Sequence, residues 1–210
     1  MALTCSSVVL DTLGSEFDEY TYLPANGTRG GILLAWKSRV VSITDPMFTT
    51  NTLTARVATA IGTPWWMSVV CGPQEDADKI AFLHELRDIC ADCPGPWMLC
   101  GDFNLILRDE DKNNDNLNRR MMRRFRRLVN DLALKEVYLN GRRFTWSNEQ
   151  TPPTLVHLDR VLCTVDWEDT HGDCHLRCLA SVVCDHCPLL LDCVPKHAAH
   201  RRFHFEDFWM

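Results

Sequence analysis

The run Pro96-Trp97-Met98-Leu99-Cys100 is apolar at every position and stops abruptly at Gly101-Asp102-Phe103-Asn104. A strand with one face in solvent alternates apolar and polar residues, whereas one that is apolar throughout is covered on both faces. The chain must therefore supply a layer on each side of this segment. Residues i and i+2 of an extended chain share a face, so Asp102 and Asn104 leave the mouth of the strand together and can converge on one cation or one activated water. Tight turns recruit the same residue types, so the tetrapeptide alone leaves both readings open.

Other segments supply the layers. After a polar stretch to Arg29, Gly31 to Trp36 reads as a short strand. Val40 to Ala60 reads as a hairpin turning near Asp45-Pro46 or Thr50-Asn51, and Trp65 to Cys71 as a strand closed by Gly72-Pro73. From Glu75 the period changes: Ile80, Leu83, Leu86 and Cys90 recur at helical spacing behind an acidic first turn of Glu75, Asp76 and Asp78. A second helix is expected from about Asn118 to Leu134, with Met121, Met122, Phe125, Leu128, Val129 and Leu132 on one face. Strand candidates follow at Arg143 to Trp146, Val156 to Cys163, His175 to Leu179 and Pro188 to Cys193. Strands outnumber helices and many are apolar on both faces, which predicts an α/β (α+β) domain of two packed sheets with helices outside.

With 210 residues and 46% hydrophobic composition, one domain with a sizeable core is expected. The net charge of −6 does not suggest a protein that coats nucleic acid by bulk electrostatics, so any such role needs a local patch or a metal. No apolar run reaches the roughly 18 residues of a membrane span, and Met1 to Leu10 lacks the pattern of a signal peptide. The chain is expected to be intracellular rather than secreted, with no membrane association. Eleven cysteines, an odd number scattered through apolar segments, fit reduced core thiols. Cys90-x-x-Cys93 and Cys184-x-x-Cys187 have the inner spacing of zinc ligands, but nothing else in the sequence supplies a compact zinc frame.

Two further clusters carry chemistry. Asp185-His186 precedes the strand starting at Cys187, and Asp159 lies in Leu158-Asp159-Arg160. A His beside a carboxylate can act as a general acid or clamp a phosphate, and a second carboxylate can orient its ring. Asp159 can equally pair with its neighbour Arg160. Six of the 22 basic residues fall within positions 119–127 with no acid among them. Such a face is either solvated or a phosphate-contacting patch, through Arg119, Arg123 and Arg127.

The ordered segments Trp97-Met98-Leu99-Cys100-Gly101-Asp102-Phe103-Asn104, Arg143-Phe144-Thr145-Trp146-Ser147-Asn148, His157-Leu158-Asp159-Arg160 and Cys184-Asp185-His186-Cys187-Pro188 resemble the endonuclease/exonuclease/phosphatase superfamily. The closer resemblance, through Gly27 to Trp36, Gly72-Pro73-Gln74-Glu75 and Arg202 to Trp209, is to the endonuclease region of plant LINE-type (non-LTR) retrotransposons. It implies a four-layer α-β-β-α sandwich over residues 1–195. Residues 196–210 would be a basic and aromatic tail leading toward a reverse-transcriptase region.

The resemblance also implies DNA as partner, Mg²⁺ or Mn²⁺ as cofactor, and a nuclear site of action. Asp102 would deprotonate the attacking water with Asn104 beside it, and Asp185 would lie at the metal. His186 would stabilise charge on the scissile phosphate, held by Asp159. Gln74 and Cys71 would lie on the substrate side. Two departures are evident. The family's upstream strands, one bearing an Asn and one a metal-binding Glu, have no counterpart before Gly30, and neither Glu16 nor Glu19 is assigned that role. Cys71 stands where the family has a Tyr whose hydroxyl reaches the phosphate. The expectation is therefore an N-terminally truncated phosphodiesterase domain, weak or inactive, or else a non-catalytic nucleic-acid-binding remnant using the helix of residues 119–127.

Overall fold

The computed structural model describes residues 13–26, 30–180 and 184–193. In chain order the strands are β1 (Glu19–Leu23), β2 (Ile32–Trp36), β3 (Val41–Phe48), β4 (Thr52–Thr59), β5 (Trp65–Cys71) and β6 (Trp97–Asp102). Then follow β7 (Lys135–Glu136), β8 (Leu139–Asn140), β9 (Trp146–Ser147), β10 (Leu155–Val156), β11 (Asp159–Cys163), β12 (Cys174–Cys178) and β13 (Leu189–Cys193). The helices are α1 (Asp76–Asp92), α2 (Arg119–Asp131) and α3 (Val165–His171).

Six strands form a mixed sheet in the order β3-β4-β5-β6-β11-β7, with β5 and β6 parallel. A second mixed sheet is ordered β13-β12-β8, and β1-β2 and β9-β10 form two-stranded pairs. The two-residue period of β6 explains its apolar run. Trp97 and Leu99 join the core under the helices, whereas Met98 and Cys100 face the second sheet. Helix α1 contributes Phe82, Leu83, Leu86 and Ile89 to the first core, and α2 contributes Met121, Phe125, Leu128 and Val129. Phe103, fully buried, packs its ring 6.4 Å from Phe82 and 5.4 Å from Phe125, so the residue between Asp102 and Asn104 anchors both helices to the sheet. The second core joins Met98, Val161 and Cys163 to Leu139, Trp167 and Leu176. Two packed mixed sheets with three helices are thus the α/β sandwich expected.

The Asn118 side chain accepts from Met121 N at 3.0 Å and caps the basic helix α2. Local structure decides between the two hairpin turns and departs from the sequence reading in three places. The hairpin turns at residues 49–51, whereas Asp45-Pro46 is a bulge inside β3, with Asp45 at φ 52° and a register shift between Thr44 and Met47. The polar N-terminal stretch contains β1, whose partner is the half-buried β2. The strand expected from Val156 to Cys163 breaks at residues 157–158, where the backbone bonds go to separate partners. His157 N donates to Asp111 O, Leu158 N to Thr145 Oγ1, and Leu158 O accepts from Phe103 N. Likewise only residues 146–147 of Arg143 to Trp146 and its continuation are strand.

Candidate active site

Strand β6 delivers Asp102 to the end of the central sheet, opposite Asp159 of β11 and beside Cys71 of β5. Two glycines permit that placement. Gly101 has φ 129°, and a Cβ there would strike Val70 O, while one on Gly72 would strike Phe103 O. Asn104 takes a left-handed φ of 50°. Its backbone N–H donates to Asp102 Oδ1 at 2.8 Å, and its carboxamide donates to Asp102 Oδ2 at 2.9 Å and to Gly72 O at 2.8 Å. The two residues therefore share a face and clamp each other. Burial pushes the Asp102 carboxyl up to about 6, against the Asn104 N–H, with the charge of Asp159 acting in the same sense as burial.

Across the β6–β11 pair, Asp159 Oδ2 lies 2.9 Å from His186 Nδ1. This hydrogen bond raises the His186 pKa above its usual value, burial opposes it, and the charges of Asp159, Asp102 and Asp185 reinforce it. Asp159 does not pair with Arg160, whose fully buried guanidinium instead bridges Asp111 and Glu136. Thr145 and Trp146 complete the arrangement, and the sequence reading assigns a role to neither although both stand in the segment Arg143 to Asn148. The buried Thr145 hydroxyl accepts from Leu158 N and Asp159 N, both at 3.0 Å. Trp146 bridges to His186 through the backbone, and its indole N–H donates to Asp185 Oδ2 at 2.8 Å. That bond holds the exposed Asp185 carboxyl below the usual range. A Thr and a Trp inside an aromatic motif read as core, so only their spacing from Asp185-His186 in the folded sheet reveals them.

A cleft of about 440 Å³ opens beside Asp102. Cys71, Gln74 and Asn104 line it with Asp102, as do the carboxylates of Glu75, Asp78 and Glu85. Glu85 is tied down by Asn51 N at 2.9 Å and Asn51 Nδ2 at 3.0 Å. Arg119, Arg123 and Arg127 do not line this cleft. Arg119 pairs with Asp109 at 2.6 Å, and Arg123 Nε donates to Arg119 O. Glu16 pairs with Lys37.

Among the described residues no group of three or more His, Cys, Asp or Glu side chains forms a metal cage. Cys93 is pushed up to about 11 by burial and so stays a thiol. The donors at the site are carboxylate oxygens of Asp102 and Asp185. Mg²⁺ commonly takes one or two protein carboxylates and completes its shell with water and phosphate oxygens, so these residues suit such an ion in kind. Among the described residues no helix is long and apolar enough to cross a membrane. The tail at residues 196–210 lies outside the described residues.

Residues 5–186 match the model of the Endonuclease/Exonuclease/phosphatase family. No curated protein matches the chain. Among solved structures, the endonuclease domain of TRAS1, a telomere-specific non-LTR retrotransposon, superposes with a TM-score of 0.67 at 13% identity, over 85% of this chain and 80% of that one. The 3′ phosphatase NExo from Neisseria, bound to a product DNA hairpin, gives 0.63 at 15% identity, over 90% and 83%. D. rerio TDP2 complexed with a single-strand DNA product gives 0.55 at 16%, over 86% and 76%. At these identities the likeness concerns the fold.

Proposed function

Because the chain belongs to the endonuclease/exonuclease/phosphatase family, we propose that it is a divalent-metal-dependent phosphodiesterase that nicks DNA slowly. The observation that carries this reading is the His186–Asp159 pair standing across β6–β11 from Asp102. Solved relatives of the same fold with bound DNA, NExo and TDP2, support DNA as the partner.

In this reading Asp102, ionised above about pH 6, accepts the proton of the attacking water while Asn104 fixes both its oxygens. His186 keeps Nδ1 on Asp159 and turns Nε2 to the scissile phosphate, donating to the oxygen on which charge develops. Its raised pKa favours the protonated form for that task. Thr145 and Trp146 position Asp159 and Asp185. A divalent cation, Mg²⁺ or Mn²⁺, would take oxygen donors from Asp185 and the Asp102 side of the site and supply charge stabilisation. Gln74 and Cys71 face the substrate from the cleft, and the thiol at Cys71 makes turnover slow because it is short and a weak donor. Arg119, Arg123 and Arg127 would hold flanking phosphates outside the cleft. Nuclear action and a reverse-transcriptase region beyond Arg202 to Trp209 belong to the same proposal and rest on the motif resemblance.

A second reading has its own support. Arg120, Arg124 and Arg127 pair with no carboxylate among the described residues, so α2 offers charge for phosphate binding without a metal. Plasmid nicking by the purified protein in Mg²⁺, Mn²⁺ or EDTA, beside His186→Ala, tests the first. Metal-dependent nicking that His186→Ala abolishes supports it. Salt-sensitive DNA binding in EDTA without nicking, lost in Arg120→Ala/Arg124→Ala/Arg127→Ala, would leave the second.

A further inference from the structure

A second cavity, of about 560 Å³, lies beside the candidate active site and takes no part in the chemistry just described. Arg108, Arg142, Arg143, His157 and Tyr138 line it, together with the acidic residues Glu110, Asp111 and Glu136. Its charges are not paired evenly. Arg160 and Arg108, which reaches Glu136 at 3.0 Å, together balance Asp111 and Glu136, which leaves Glu110 as the one acidic lining residue set against Arg142 and Arg143. Arg142 and Arg143 pair with no carboxylate among the described residues. Arg143 Nε donates to the Glu110 carbonyl at 2.8 Å and Arg142 to the Cys187 sulfur, so their positions are fixed while their charge is not neutralised. Burial and Arg160 lower the His157 pKa, which favours the neutral ring. At the rim stands Tyr138, 77% exposed in a short connection between β7 and β8. A large aromatic is thus left in water at the mouth of a cavity that holds Arg142 and Arg143.

The cavity is also continuous with the site in the chain. Arg142 touches Cys187, the neighbour of His186, and Arg143 precedes Thr145 and Trp146 by only two and three residues. His157 lies two residues before Asp159 and at the same end of the central sheet.

We propose that this cavity binds an unpaired nucleotide of the nucleic-acid substrate, flanking the scissile position, with the phosphate on Arg142 and Arg143 and the base stacked on Tyr138. Guanidinium groups bind phosphate in two-pronged geometry, and an exposed aromatic ring stacks a base only when that base is free of a duplex. The volume admits one nucleotide. The proposal rests on the DNA-cleaving reading above and deepens it, since it assigns a preference for DNA that carries a single-stranded segment.

The test is fluorescence anisotropy in EDTA with two labelled probes, a blunt DNA duplex and the same duplex with a single-stranded overhang. Wild type, Tyr138→Ala and Arg142→Gln/Arg143→Gln are compared, with circular dichroism to confirm folding. The overhang is expected to bind about tenfold more tightly than the blunt duplex in wild type, and Tyr138→Ala to abolish that difference. The double Arg variant should bind both probes more weakly and lose up to about two from its log–log salt slope. Equal affinities of folded variants and wild type for both probes, with wild type still nicking plasmid, would overturn this inference and leave the cleavage reading standing. If wild type neither binds nor nicks DNA, the cleavage reading falls and the inference with it.

Discussion

His186 Nδ1 sits 2.9 Å from Asp159 Oδ2, and Asp159 is itself aligned with Asp102 across the β6–β11 register. One hydrogen bond therefore couples a chain segment near residue 186 to the central sheet. The pairing raises the His186 pKa above 6.5. Its contribution to stability is accordingly complete below the unfolded value of about 6.5 and is lost as pH rises through the folded value. Asp159→Asn should bring the imidazole pKa down, as followed by the ring proton shifts in NMR. The gap between wild type and Asp159→Asn in urea midpoint should be largest in mild acid and close at alkaline pH. An unchanged imidazole pKa in Asp159→Asn would refute the pairing.

Asp102 runs the opposite way from an ordinary ion-paired carboxylate. Its pKa is raised from 3.8 to about 6, so between those values the folded chain holds a proton that the unfolded chain has released. Stability then falls as pH rises from about 4 to about 6 and levels off above, a loss on the order of 3 kcal/mol. Asp102→Asn keeps an acceptor for the Asn104 N–H and removes the titration. Urea denaturation in EDTA across this interval should show a slope in wild type that Asp102→Asn flattens, and any nicking activity should rise over the same interval. A wild-type profile as flat as that of the variant would contradict the burial of an ionisable Asp102.

The legible parts of this fold are those fixed by local pattern. The all-apolar β6 and the apolar face of α2 can be read because a two-residue or 3.6-residue period leaves few alternatives. The break at His157-Leu158 cannot, since it is imposed by Asp111, Thr145 and Phe103, residues between 13 and 55 positions away. Strand β1 is hidden because Glu19–Leu23 lies in a polar stretch and is only half-buried, stabilised by its register with β2 rather than by its own composition. In the site, Asp102, Asn104, Asp159, Asp185 and His186 are each legible as residues, and the geometry that joins them is not. Thr145 and Trp146 stand within a motif, yet a hydroxyl bonded to Leu158 N and Asp159 N has no sequence period to betray it.

Arg160 enters the sequence reading only as a neighbour for Asp159, and its real partners make a sharper prediction. It is fully buried between Asp111 and Glu136, with its Nη2 also donating to His157 O at 2.9 Å. Replacing it by Met fills the volume but leaves the buried Asp111 carboxylate without its guanidinium, while Glu136 keeps only Arg108. Removing one member of a buried pair costs about 3–5 kcal/mol, and Arg160→Met should show that loss in urea unfolding. Adding Asp111→Asn should recover part of it, although Asp111 Oδ2 also accepts from Leu107 N and Arg108 N at 2.7 and 2.9 Å. A single variant as stable as wild type would mean that the network is not closed to solvent.

Cys71 offers a gain-of-function test of the proposed chemistry. It pairs with Asp102 across β5–β6 and lines the cleft of about 440 Å³, so a phenol at this position has room to extend toward a bound phosphate. A thiol is too short to make that contact. A charge-assisted hydrogen bond at the transition state is worth about 1.5–3 kcal/mol, which corresponds to roughly 10- to 150-fold in rate. Cys71→Tyr should therefore raise metal-dependent nicking by that factor, read in kcat rather than KM because the contact strengthens as charge develops. Cys71→Phe supplies the ring without the hydroxyl and should stay at the wild-type rate. If both variants fold and nick equally, the phosphate is not held where Asp102 and His186 would require it, and the placement of the substrate between them is wrong.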